Sequence, residues 1–107
     1  MNPIPEDTAR SNLAWGKAVA SCLCDLQVTQ VFFSPGSRST PLVLAFERHP
    51  NIECIPVLDE RSAAFLALGS SKRKKMPAVL LCTSGSAPTH WFPAVTEASH
   101  ASIPLLL

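Results

Sequence analysis

Apolar positions along the chain follow two alternating periods. From Asn12 to Leu26 they recur at Trp15, Ala18, Val19, Cys22, Leu23 and Leu26, the spacing of one helical face, with Thr8 or Ser11 available as a cap. Gln30 to Phe33 then reads as a short buried strand. Pro41, behind Ser39 or Thr40, takes a first helical position and opens a second helix that stops before Pro50. The cycle repeats with a strand over Ile52 to Leu58, Asp59 as a cap, and a helix from Arg61 to Ser71 whose weak point is Gly69. Ala78 to Cys82 predicts a third strand, Thr83 to Ser86 a polar loop, and Thr89 to His100 a further helix that tolerates Pro93 only in its first turn. Ile103 to Leu107 begins a fourth strand.

Strand, loop and helix at such short intervals, with near-continuous apolar strands, predict an α/β fold: a parallel sheet with helices on both faces. Ligands bind at the carboxyl edge of such a sheet. Three loops distant in sequence should therefore meet there: SPGSRS from Ser34 to Ser39, DER from Asp59 to Arg61, and TSGS from Thr83 to Ser86. The pattern ends inside an apolar strand. Residues 12–107 are accordingly expected to form a partial, truncated domain at the front of a longer polypeptide, preceded by an extension over residues 1–11.

Composition adds mainly exclusions. At 47% hydrophobic residues, 16% charged and a net charge of +1, the 107-residue chain has neither the balance of a nucleic-acid-binding protein nor that of a disordered one. No stretch approaches a membrane span, and the acidic, proline-containing start MNPIPEDTARSN does not read as a signal or transit peptide, so a cytoplasmic location is expected. The four cysteines occupy apolar segments and predict buried, reduced thiols. Cys22 and Cys24 point to nearly opposite sides of a helix, and His49, His90 and His100 lack ligand spacing, so no metal site is expected. The run Lys72-Arg73-Lys74-Lys75 reads as a solvated helix end.

Chemistry concentrates in the three loops. Gly36 permits a tight backbone path, Ser34, Ser37 and Ser39 offer hydroxyls, and Arg38 carries a planar fork suited to a carboxylate or phosphate. A small organic anion fits this loop, and so does a turn whose arginine makes a structural ion pair. No Walker lysine is present. Glu60, at the end of a buried strand, can hold or share a proton, or it can be a helix-start acid paired with Arg61. The small side chains from Thr83 to Ser86 let a flat ligand approach, and suit a plain turn equally well.

Taken together in order and spacing, SPGSRSTPL, LDERSAAFLALG, LLCTSGSA and FPAVTEAS resemble the amino-terminal part of the 2-succinyl-5-enolpyruvyl-6-hydroxy-3-cyclohexene-1-carboxylate synthases, thiamine-diphosphate enzymes of menaquinone biosynthesis. The resemblance implies a thiamine-diphosphate-binding fold of the pyrimidine type. It implies a transferase that decarboxylates 2-oxoglutarate and adds the succinyl-semialdehyde unit to isochorismate. It carries over Glu60 as the catalytic, cofactor-binding glutamate, Ser84 and Gly85 as cofactor contacts, and Ser37 with Arg38 as the isochorismate-binding pair. A carboxyl group donating to the aminopyrimidine favours its imino tautomer, which can then take the thiazolium proton.

The resemblance further implies that diphosphate and Mg2+ are held by a Gly-Asp-Gly…Asn motif absent from this chain, and that the active site forms between subunits of a homo-oligomer. Pro88, His90, Ser86 and the basic run at Lys72 to Lys75 depart from the family pattern. Two alternatives stand beside this reading: another thiamine-diphosphate decarboxylase or synthase, and a non-catalytic anion-binding module.

Overall fold

The computed structural model describes residue 3 and residues 5–107. Eight regular elements follow in order: α1 (Glu6–Asp25), β1 (Gln30–Phe33), α2 (Thr40–Arg48), β2 (Glu53–Pro56), α3 (Glu60–Lys74), β3 (Ala78–Leu81), α4 (Phe92–Ala101) and β4 (Leu105–Leu106). Short 3-10 turns at Ser37–Ser39 and Ala87–Trp91 precede α2 and α4. The strands form one sheet in the order β2-β1-β3-β4, and every pairing is parallel.

The expected α/β fold is therefore present. Helices α1 and α2 cover one face, where Ala20, Leu23, Val31, Phe46 and Val79 share a core. The other face packs Phe32 and Leu80 against Ala63, Ala64 and Ala67 of α3 and against Trp91 and Ala94. Because α2 returns on one face and α4 on the other, the chain reverses its winding between β1 and β3. That is the topological switch point of the sheet.

Helix α1 departs from expectation twice. It starts at Glu6, so residues 6–11 of the expected extension belong to it, while residues 1, 2 and 4 lie outside the described set. Neither Thr8 nor Ser11 caps it; Pro5 is the cap residue, Glu6 and Asp7 meet the positive end of the helix dipole, and Arg10 binds Glu6 one turn on at 2.6 Å.

The second departure concerns the face of α1. Its buried stripe is Gly16, Ala20 and Leu23, whereas Trp15 is 71% exposed and Ala18, Val19, Cys22 and Leu26 also face outward. Shape explains the choice, because α2 passes so close that a Cβ on Gly16 would lie 2.9 Å from Ala45 Cβ and 3.0 Å from the Pro41 carbonyl oxygen. Only a small-residue stripe fits there.

Helix α3 follows its sequence more faithfully. Asp59 caps it by accepting from the Ser62 backbone N–H at 2.8 Å, and Lys75 ends it in the left-handed region at φ 55°. The exposed run at Lys72 to Lys75 is its last turn, as the solvated-face reading expects. Buried Ser71 anchors that end: its hydroxyl lies 2.8 Å from the carbonyl oxygens of both Met76 and Pro104, tying α3 to the entries of β3 and β4. The cysteines are all free but none is fully buried: Cys54 and Cys82 pack partly against the cores, and Cys22 is exposed because Gly16, Ala20 and Leu23 form the buried stripe of α1. Burial, and secondarily the charge of Glu47, pushes the Cys54 thiol up to about 11.

The same substitution should act oppositely in these two helices. Nothing lies within 4 Å of a Cβ built on Gly69. Gly69→Ala should stabilise the protein by about 0.5–1 kcal/mol through helix propensity. Gly16→Ala should destabilise it by about 1–3 kcal/mol, because Pro41 and Ala45 must move. Urea unfolding of the two variants checks both signs.

Candidate active site

The three loops converge as the topology requires. Parallel pairing aligns Phe33 with Leu81 and with Pro56, and two further backbone bonds extend the ladders into the loops: Ser34 N–H to the Leu81 carbonyl at 3.0 Å and Val57 N–H to the Phe33 carbonyl at 2.9 Å. All three strands thus deliver their loops to the same edge.

The loops after β1 and β3 touch. A Cβ on Gly36 would lie 2.5 Å from Thr83 Cβ and 2.8 Å from its methyl carbon, a distance no real side chain tolerates. The φ of Gly36 is 179°, extended backbone open to any residue, so glycine is required there for space and not for conformational freedom. Gly85 is the converse case. Its φ of 84° lies in the left-handed region, and open space surrounds the position of its missing Cβ.

Beyond the Gly36 contact, Arg38 crosses to the third loop and donates from Nη1 to Ser84 Oγ at 3.2 Å. The structural ion pair that the bland reading gave Arg38 is not found among the described residues. Ser39 turns inward and donates to the Gly36 carbonyl at 2.9 Å, which braces the loop, while Ser37 faces solvent. Ser34 is 1% exposed, and its hydroxyl has no partner among the described residues.

The two adjacent acids have separate tasks. Asp59 is committed to capping; its carboxyl is held below the usual range by the Ser62 backbone and hydroxyl bonds, with smaller help from His90 and Arg61. Glu60 opens α3, half-buried, and among the described residues its carboxylate makes neither a hydrogen bond nor an ion pair, Arg61 included. Its charge reaches the third loop: burial first, and then Glu60, raises the Cys82 thiol above its ordinary value. Glu60 is therefore a carboxylate without a hydrogen-bond or ion-pair partner among the described residues, at the start of α3 and near enough to the end of β3 for its charge to act on Cys82.

The structure thus brings Ser37, Arg38, Glu60, Ser84 and Gly85 to one edge of the sheet. Sequence reasoning did not single out Thr83 as the wall that demands glycine at position 36, or Cys82 as the neighbour of Glu60. The signal for both was position, since each ends or directly follows the strand beside β1. Among the described residues no group of three or more His, Cys, Asp or Glu side chains is placed to share a metal ion, and no helix is long and apolar enough to cross a membrane.

Residues 14–107 match the thiamine pyrophosphate enzyme, N-terminal TPP binding domain family. The chain belongs to that family. Curated relatives agree with the resemblance read from the loop motifs. The chain is 52% identical over 101 residues to the 2-succinyl-5-enolpyruvyl-6-hydroxy-3-cyclohexene-1-carboxylate synthase of Acaryochloris marina, and 49% identical over 100 residues to the synthase of the same name from Natronomonas pharaonis. Each match covers 94% of this chain and 17% of the relative, so the chain spans about a sixth of their length. Among solved structures, benzoylformate decarboxylase from Polynucleobacter necessarius superposes with a TM-score of 0.75 at 24% identity, over 84% of this chain and 17% of that one. That likeness concerns the fold. In this family member the loops after β1 and β3 are braced against each other through Gly36 and Thr83.

The brace is testable. Gly36→Ala should destabilise the protein by about 1–3 kcal/mol by driving Thr83 away. Thr83→Gly in the same molecule should recover part of that loss, so that the two substitutions cost less together than their sum in a double-mutant cycle of urea unfolding.

Proposed function

We propose that this chain is the pyrimidine-binding part of a thiamine-diphosphate-dependent transferase that decarboxylates 2-oxoglutarate and adds the succinyl-semialdehyde unit to isochorismate, in menaquinone biosynthesis. The observation that carries the reading is the unpartnered Glu60 carboxylate at the same sheet edge as the loops that hold Arg38 and Gly85, in a chain about half identical to synthases of that name. Mg2+ and the diphosphate would be held outside this chain, and the site would be completed by a partner subunit.

The residues present fit the cofactor's pyrimidine. Open space around Gly85 admits a flat ring to the backbone, and Glu60 is a carboxyl group without a competing partner among the described residues. When bound, thiamine diphosphate supplies the carbon nucleophile. Glu60 would hold a proton at one carboxyl oxygen and present it to the ring, which needs an acid that can also accept the proton back. Glu60 stands in the first turn of α3 and is only partly exposed, so it is held at the sheet edge with limited access of water.

Arg38 would bind the acceptor. Its fork matches a carboxylate bidentately, a geometry lysine cannot reproduce, and Ser37 beside it offers an exposed hydroxyl.

Two substitutions in the holoenzyme test the assignment. Glu60→Gln cannot exchange the proton and should lower kcat by about a hundred-fold or more while circular dichroism stays unchanged; turnover near the wild-type rate would defeat the role. Arg38→Lys should raise KM for isochorismate by roughly ten-fold and leave KM for 2-oxoglutarate unmoved. An equal rise in both constants would count against an acceptor role.

A further inference from the structure

We infer that Ser84 is a positioning residue for Arg38, fixing the guanidinium over the site for an anionic, carboxylate-bearing acceptor. This rests on the proposed function and assigns Ser84 a task different from the cofactor contact that resemblance implies.

The two loops are fastened in sequence order, and the Arg38 bond is the last fastening. Parallel pairing aligns Phe33 with Leu81, the Ser34 N–H reaches the Leu81 carbonyl at 3.0 Å, Gly36 lies against Thr83, and Arg38 Nη1 then donates to Ser84 Oγ at 3.2 Å. Each tie limits the freedom of the next, so Ser84 Oγ is presented from a braced backbone. The left-handed turn at Gly85 follows directly.

Arg38 needs such a restraint, because it is an exposed side chain with another place to go. It also borders a cleft of about 300 Å³ on the α1 side, lined by Asn12, Trp15, Gly16, Pro41 and Leu42, where the face of exposed Trp15 would attract a cation. The Ser84 hydroxyl holds it toward the third loop instead. One N–H of five is used as the tether, and the remaining donors stay available for a carboxylate.

The two roles for Ser84 make different demands on experiment. A residue that acts through Arg38 has nothing to contribute once Arg38 is gone, whereas a cofactor contact acts whether or not Arg38 is present. Steady-state kinetics on the holoenzyme, with isochorismate as acceptor and thiamine diphosphate varied separately, should be run for Ser84→Ala, Ser84→Thr, Arg38→Ala and the Ser84→Ala/Arg38→Ala double variant.

Ser84→Ala is expected to raise KM for isochorismate by about five-fold, the loss of one exposed charge-assisted hydrogen bond, and Ser84→Thr to restore it to within about two-fold. The double variant should be no worse than Arg38→Ala alone. A shift in the thiamine diphosphate requirement, or an equal penalty for Ser84→Ala with and without Arg38, would overturn the inference. Crystal structures of the wild-type and Ser84→Ala holoenzymes separate this from failure of the proposed activity. If the enzyme does not use isochorismate, the functional reading falls, yet Arg38 should still be ordered against position 84 in the wild type and leave it in Ser84→Ala. An Arg38 conformer unchanged by Ser84→Ala would refute positioning whatever the substrate.

Discussion

The site depends on one steric constraint, the contact between Gly36 and Thr83. Strands β1 and β3 are neighbours, yet their connections leave for opposite faces of the sheet, so the loops must diverge from a common line. A crevice opens wherever this happens in a parallel sheet. Here its base is closed by a glycine laid against a threonine, at a distance where even a methyl group on position 36 would collide. Arg38 and Ser84 meet only because the loops have already been brought together below them.

The charges at the edge follow a division of labour that their neighbours enforce. Two consecutive acids begin α3, but the helix needs only one cap, and Asp59 takes that role through the backbone and hydroxyl of Ser62. Glu60 is thereby released from structural duty. It is left as a half-buried carboxylate with no counter-ion among the described residues, the state the proposed role in proton exchange would need. Arg38 donates to the Ser84 hydroxyl of the third loop and makes no ion pair with Glu60.

Much of this was legible from sequence, for reasons that also mark where reading stops. The alternation of periods revealed the α/β class, and topology then placed three loops at one edge without any knowledge of strand order. Asp59 was readable as a cap because capping is local. The buried face of α1 was legible only at Leu23, which is buried as its place in the apolar stripe predicts; hydrophobicity also favours Trp15, Val19 and Leu26, whereas close packing selected Gly16 and Ala20. Gly36 was read as a residue needed for its backbone freedom and proved to be needed for its small size. The partner that makes it so, Thr83, is distant in sequence, and no local pattern reveals such a pair.

Helix α3 links the fold to the chemistry most directly. Its buried residues are Ala63, Ala64 and Ala67 at 0–1% exposure together with Leu68 and Ser71, so small side chains dominate the face it turns to the sheet, and Glu60 opens the helix just after β2. Small side chains interdigitate little and resist sliding poorly, so the helix needs a fixed point along its length. Ser71 supplies one at the far end, its hydroxyl shared between two carbonyl oxygens from the entries of β3 and β4. Asp59 closes the near end locally, through Ser62 of the same helix. The tie at Ser71 opposes movement of α3 along the sheet, so the position of Glu60 at the other end depends on a residue three turns of helix away from it and not on the edge loops alone.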